Sequence, residues 1–274
     1  MNIEITQLPF NALAQNRDMV LLLATFGGML LLMMIEQLAP RRSEDTNPGL
    51  RWFFNWGIAC LNLFVLLYVA VWVSRGLSEL PVRPPLADVF AELPTLPALL
   101  VVLLLVEALS YWLHRAYHRI PALWYLHSVH HSDEVLDATT SHRHHLGEVL
   151  LNSMALMPVM LLLGAPPGYL VAVTLVRLPV ILWSHGNITL PDFVERNLRG
   201  WLVTPDFHRV HHAKNRQIAD HNYGTMLPWF DYLFGTAKVL SREALQTLPI
   251  GIDKAASPAP RKHAGAVAKS AYSD

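Results

Sequence analysis

Residues 98–118 read ALLVVLLLVEALSYWLHRAYH, an apolar run, Ala98–Leu113, that ends directly on two histidines four residues apart. On a continuing helix His114 and His118 lie one turn apart on one face. Crossing roughly 30 Å of hydrocarbon takes about 20 apolar residues, fewer where flanking side chains reach for the interface. This stretch therefore predicts a membrane helix that delivers a pair of imidazoles to the edge of the bilayer.

The rest of the chain has the same character. It is 53% hydrophobic and 15% charged, with mean hydropathy +0.30; a soluble domain carries roughly 25% charged residues. Four further apolar runs, Met19–Ile35, Trp52–Val73, Leu150–Leu163 and Gly168–Trp183, stand apart from the first. Met19–Ile35 lacks the basic leader and cleavage site of a signal peptide, so it reads as a retained helix. The last two are shorter and read as a helical hairpin turning at Pro166-Pro167. The expected fold is all-α, a polytopic bundle of about four or five membrane helices with a histidine-rich helical cap. Net charge is zero, which offers no basic field for nucleic acid. Cys60 stands alone in an apolar run, too few for a disulfide or a thiolate metal site, and reads as a buried bystander.

Three divisions follow: 1–97, membrane helices and a connecting loop; 98–240, the catalytic region; and 241–274, a polar tail expected to be disordered. Leu77–Pro97 is Pro-rich and reads as a loop. Three crossings put the loop Ala39–Arg51, with Arg41, Arg42 and Arg51, on the side of everything after Leu113. That side also holds Arg115, Arg119, Arg143, Lys214 and Arg216. The positive-inside rule makes it cytoplasmic, as in a bacterial inner membrane.

Thirteen of the fourteen histidines lie between His114 and His221. After His114 and His118 come His127-Ser-Val-His130-His131, His142-Arg-His144-His145, a lone His185, and His208-Arg-Val-His211-His212. In each His-x-x-His-His block one helical turn can aim two or three imidazoles at a point. Neutral imidazole is a good ligand for iron, zinc, copper and nickel. A single histidine is more often a hydrogen-bonded core residue, but so many on one membrane face point to metal. About ten candidates exceed what one ion takes, so two ions fit. His142 and His144 read as surface residues, His221 as a turn residue and His263 as part of the tail.

These blocks resemble those of the fatty acid hydroxylase and sterol desaturase superfamily. The matching text runs from Glu107 to His118, then Leu123–Ser132, Arg143-His-His-Leu-Gly-Glu148, His185-Gly-Asn187, Thr204–His212, Asn222-Tyr-Gly224 and Trp229–Thr236. The resemblance implies a di-iron centre that activates O₂ to hydroxylate or desaturate a lipid C–H bond, with zinc an ion the same imidazoles accept. The ligands it implies are His114, His118, His127, His130, His131, His145, His185, His208, His211 and His212. Glu107, Glu148, Asn187 and Asn222 fall where groups that orient ligand imidazoles are expected. Leu146 departs from the proline common in the family, and substrate and subfamily stay open. Electrons must come from a separate donor protein, since no cysteine-cluster or dinucleotide motif is present. A carotenoid hydroxylase and a non-enzymatic zinc protein are the alternatives. A cytochrome b-like carrier would place its ligands within spans. A metal transporter would line a path with acids, whereas only Glu107 and Arg177 lie well inside.

Overall fold

A computed structural model describes residues 15–42, 48–78 and 84–253. Among these residues the protein is helical; β-structure is limited to one isolated bridge between Ala213 and Ile250. The long helices are α1 (Arg17–Leu38), α2 (Pro48–Ser78), α4 (Thr95–Arg119), α6 (Leu146–Leu163) and α7 (Pro167–His185). All five are long and apolar enough to cross a membrane, and the protein is an integral membrane protein. Their apolar runs are helical because a bilayer offers no partner for the backbone, so each peptide group must bond within its own segment. The outer faces carry large apolar side chains such as Phe53, Phe64 and Leu23, each about 70% exposed, a surface that suits lipid and not water.

The hairpin forms as its sequence predicts. Gly164 ends α6 in the left-handed conformation (φ 62°), and its N–H bonds Met160 O at 2.9 Å. Pro167 then opens α7 at a position where its missing N–H costs nothing. Ala98, Val102 and Val106 of α4 pack with Leu163, Tyr169 and Val173, which holds the hairpin against α4. His185 therefore returns to the level at which α6 starts.

Four features differ from the sequence reading. The helix α2 begins at Pro48 because its first turns belong to the cap: Arg51 pairs with Asp133 and Asp137, and Asn55 bonds Asp133 and Thr139. The Pro-rich stretch read as a loop contains a short helix, α3 (Ala87–Ala91), whose Phe90 is buried against Tyr169. Cys60 is exposed on the outer face of α2. Residues 241–253, expected to start a disordered tail, form α12 (Arg242–Thr247) and a strap after it; Leu245 of α12 and Leu248 and Ile250 of the strap pack on Leu136, Val210 and Ala213. Irregular apolar spacing hid that segment; residues 254–274 lie outside the described chain.

The cap consists of α5 (Pro121–His131), a 3₁₀ turn (Ala138–His142), α8 (Asp192–Leu198), α9 (Pro205–His211), α10 (Arg216–Ala219), α11 (Trp229–Leu233) and α12. The loop after α1 shares its side of the bundle. Arg41 pairs with Asp206, and Arg42 donates to Leu245 O and Leu248 O. Glu36, at the end of α1, accepts from Ala138 N and Asn187 N.

Candidate metal centre

Four elements bring the histidines together. The last turns of α4 supply His114 and His118, α5 supplies His127, His130 and His131, and α7 ends on His185. The helix α9, capped by Thr204 Oγ1 on Phe207 N, supplies His208 and His211, with His212 just beyond it. The imidazoles sort into two sets whose ligand atoms lie within 4.8 Å of one another: His114, His118, His127, His131 and His211; and His130, His185, His208 and His212. The sets adjoin. His131 stacks on His212 with ring centroids 4.6 Å apart, and His208 on His211 at 5.2 Å.

The two His-x-x-His-His blocks do not each aim at one point, as the spacing alone suggested. The first and third histidines of α5 enter the first set and the middle one enters the second. On α9 the assignment is reversed: His208 and His212 enter the second set and His211 the first. Each block thus contributes to both sets.

The hydrogen bonds settle which ring nitrogen carries the proton. His114 Nδ1 donates to Tyr223 O (2.8 Å), His118 Nδ1 to Asp220 Oδ1 (3.0 Å), His127 Nδ1 to Glu148 Oε1 (2.9 Å) and His211 Nδ1 to His221 O (2.8 Å). In the second set His185 Nδ1 donates to Ile181 O (2.7 Å). A neutral imidazole has one N–H, so these five present a lone pair on Nε2. Yet His114 Nε2 lies 3.1 Å from His127 Nε2, two acceptors with no proton between them. His211 Nε2 is buried without a partner. A cation among the Nε2 atoms removes both conflicts. Ligands about 2.1 Å from an ion and at right angles are about 3.0 Å apart, close to the 3.0–3.2 Å contacts within the sets.

Electrostatics favour the same protonation state. His131 and His211 sit below the ordinary imidazole range, first because burial penalises the charged ring and then because other histidines surround them; His211 is pushed down to about 3. Burial and neighbouring histidines also lower His130, His208 and His212. Neutral rings are the form that binds metal.

Both sets face one cavity of about 240 Å³, lined on one side by His114, His127, His130, His185 and His208, and elsewhere by Leu109, Leu113, Leu156 and Ile181. His144, read from sequence as a surface residue, also lines it. Its ring stacks on His130 (4.3 Å between centroids, 12° between planes), and its Nδ1 lies 3.0 Å from the same Glu148 oxygen that holds His127. Burial alone would lower its pKa, but the Glu148 carboxylate and the Ser141 carbonyl together more than offset this and raise it.

Nine of the ten residues expected as ligands are in the two sets. His145 is in neither: as N-cap of α6 its Nδ1 accepts from Gly147 N at 3.0 Å. Of the four orienting residues, Glu148 touches an imidazole. Glu107 instead accepts from Arg177 Nε (2.6 Å), Met226 N and Leu227 N, tying α4 to α7 and to the loop before α11. Asn187 bonds Arg42 and Glu36. Asn222, at φ 58°, bonds Phe207 O and both backbone groups of Lys238. These three shape the scaffold without touching a histidine. Asp220 was not singled out from sequence, because nothing in its local pattern marks a carboxylate that meets a ring 102 residues away.

Comparison with known proteins agrees with this geometry. The chain is 33% identical over 143 residues to an alkylglycerol monooxygenase of Danio rerio, covering 52% of this chain and 31% of that protein. To the alkylglycerol monooxygenase of Homo sapiens it is 28% identical over 169 residues (62% and 34%). To a very-long-chain aldehyde decarbonylase of Oryza sativa subsp. indica it is 32% identical over 160 residues (55% and 24%). The matches thus span about a third or less of these relatives' length. No solved structure matches the chain. Residues 99–236, just over half of the chain, match the fatty acid hydroxylase family model, and they contain both histidine sets, Glu148 and Asp220: the chain belongs to the fatty acid hydroxylase family.

Proposed function

We propose that the protein is a membrane-bound, O₂-dependent oxygenase of lipid-like molecules, with one iron ion in each histidine set. The observation that carries this is the convergence of nine imidazoles in two adjoining sets, five of them lining one cavity at the end of an apolar bundle. The bound metals would supply O₂ activation toward an unactivated C–H bond, giving an alcohol or an alkene. The chain's own residues do the rest. Asp220 and Glu148 hold His118 and His127 in the tautomer a metal needs. Leu109, Leu113, Leu156 and Ile181 exclude water and align an apolar chain beside both sets. The Arg177–Glu107 pair fixes α7 against α4, which sets the distance between His185 and His114.

The relatives' names, alkylglycerol monooxygenase and very-long-chain aldehyde decarbonylase, support a long-chain lipid such as an ether lipid, fatty acyl or sterol-like molecule. Electrons come from a separate donor protein. The histidine face is cytoplasmic. Arg115, Arg119 and Lys214 support this orientation, whereas Arg41, Arg42 and Arg51 are committed to contacts within the cap and say less about it.

The test is metal analysis of protein purified from iron-sufficient cells, with O₂-dependent turnover of a membrane lipid extract. Two irons per chain and oxidised lipid products are expected. His130→Ala and His211→Ala, one from each set, should each lose about one ion and all turnover. Full zinc loading with no O₂ consumption under any iron supply would refute the proposal.

A further inference from the structure

A second cavity, of about 300 Å³, adjoins the one beside the histidines and shares Ser141, His144, Arg177 and Ile181 with it. Its far wall comes from α1 and α2 through Leu21, Thr25, Ala59, Asn62, Leu63 and Leu66. Along α7 it runs from Ile181 to Thr174, about 10 Å at 1.5 Å per residue. Leu21, Leu63, Leu66 and Leu178 make much of the wall apolar. The part near His144 carries a buried polar group, Asn62, only 6% exposed. Asn62 Nδ2 donates to His144 O at 2.8 Å, which fixes the amide's orientation, and Oδ1 is left buried with no partner. A buried acceptor without a donor is costly and uncommon.

From these observations we infer that the second chamber is the substrate's chain-binding site, and that it takes a lipid with one apolar chain and a hydrogen-bond donor, a hydroxyl or an amide N–H. This deepens the oxygenase reading and rests on it. The chain lies between α1, α2 and α7, and the donor bonds Asn62 Oδ1 where the two cavities meet. Because α1 and α2, which supply Asn62 and the wall facing α7, precede the stretch 99–236 that matches the family, part of the selection among lipids is made by residues outside the shared region. Nothing but shape and one acceptor is needed: a hydrophobic wall tolerates chain variation, while a polar group built for a donor discriminates strongly against an analogue that lacks it.

The experiment uses the full chain in detergent and two probes. One is a monoacylglycerol with an 8-carbon chain, matched to the roughly 10 Å chamber, and a photoreactive diazirine at the chain end; the other is the same molecule with its hydroxyls methylated. Crosslinked peptides are mapped by mass spectrometry. The expected result is labelling in the segments holding Leu21 and Thr25 and Ala59–Leu66, competed by unlabelled lipid and weakened about tenfold or more by methylation. An amide-bearing N-acyl probe separates the two kinds of donor. Asn62→Leu should abolish the preference for the free hydroxyl and leave labelling by the methylated probe. Leu66→Trp, one helical turn along the same face of α2, should exclude both probes. Labelling confined to outward residues such as Leu23 and Phe64, or labelling unaffected by competitor, overturns the inference. Labelling as expected in a protein without O₂-dependent turnover refutes the oxygenase and leaves the chamber. Turnover with labelling elsewhere refutes the chamber and leaves the oxygenase.

Discussion

Replacing Asp220 with alanine should weaken one metal site and spare the other. The carboxylate lies 3.0 Å from His118 Nδ1, and in this pair the side chains are 0% and 7% exposed, so water screens the interaction little. His118 belongs to the first set. A charge-assisted hydrogen bond contributes about 1.5–3 kcal/mol, and loss of an outer partner of a ligand histidine typically costs about 10–100-fold in metal affinity. That range converts to about 1.4–2.7 kcal/mol, so the two magnitudes agree. Without Asp220 the His118 ring is free to turn or to move its proton to Nε2, where it cannot ligate. Chelator-competition titration of the metal-free protein with Fe(II) should change from two tight sites to one tight and one weakened 10–100-fold. Asp220→Asn keeps an acceptor for the ring N–H and should recover part of the loss. Equal weakening of both sites, or unchanged affinity at both, would refute the assignment of His118 Nε2 to the first set.

Adjacent histidines give a sharp contrast. His144→Ala removes a ring that lines the cavity and stacks on His130, and should reduce turnover. His145→Ala should leave metal content unchanged and cost about 0.5–2 kcal/mol of stability as a lost helix cap, read by thermal unfolding in detergent. Arg177→Met strands Glu107, whose side chain is 1% exposed, and should cost about 3–5 kcal/mol; the double change with Glu107→Gln should restore much of it. In metal-free protein the depressed cap histidines are neutral when folded and take protons when unfolded. Stability is therefore full above about pH 6.5 and falls as acid is added. At pH 5 the single group His211, held down to about 3, accounts for about 2 kcal/mol of that loss. Denaturant titrations from pH 7.5 to 4.5 read the slope; stability rising toward acid pH would contradict neutral, buried rings.

The membrane helices were legible because a bilayer leaves an apolar segment one solution, and Ala98–His118 states it in the order of its residues. The hairpin was legible because Gly164 and Pro166-Pro167 interrupt the apolar run, Gly164 suiting the end of one helix and Pro167 the first position of the next. What required coordinates was mainly long-range. Arg41, Arg42 and Arg51 look like topological charges in sequence, yet each reaches across the fold to an acid or carbonyl of the cap. The segment 245–250 shows no single period because its buried residues straddle a helix end, Leu245 lying in α12 and Leu248 and Ile250 beyond it.

The histidine blocks show most clearly what spacing carries and what it omits. At about 100° per residue, the third histidine of His-x-x-His-His lies about 40° ahead of the first, and the middle one about 60° behind it. The first and third can share an ion, while the middle ring is turned toward a neighbour. One such helix cannot complete either site. Two helices meeting with opposite assignments complete both, since α5 gives two rings to the first set and one to the second, and α9 gives the reverse. The repeat of the motif is thus the sequence trace of the two adjoining histidine sets, and its count of imidazoles could have suggested the division. At His144-His145 the logic changes, because the backbone there is extended before α6 begins and consecutive side chains point to opposite sides. His144 turns to the cavity and His145 to the cap of its own helix. A histidine pair in a helix is read by angle; the same pair one residue before a helix is read by alternation, and the sequence does not announce which rule applies until the N-cap is known.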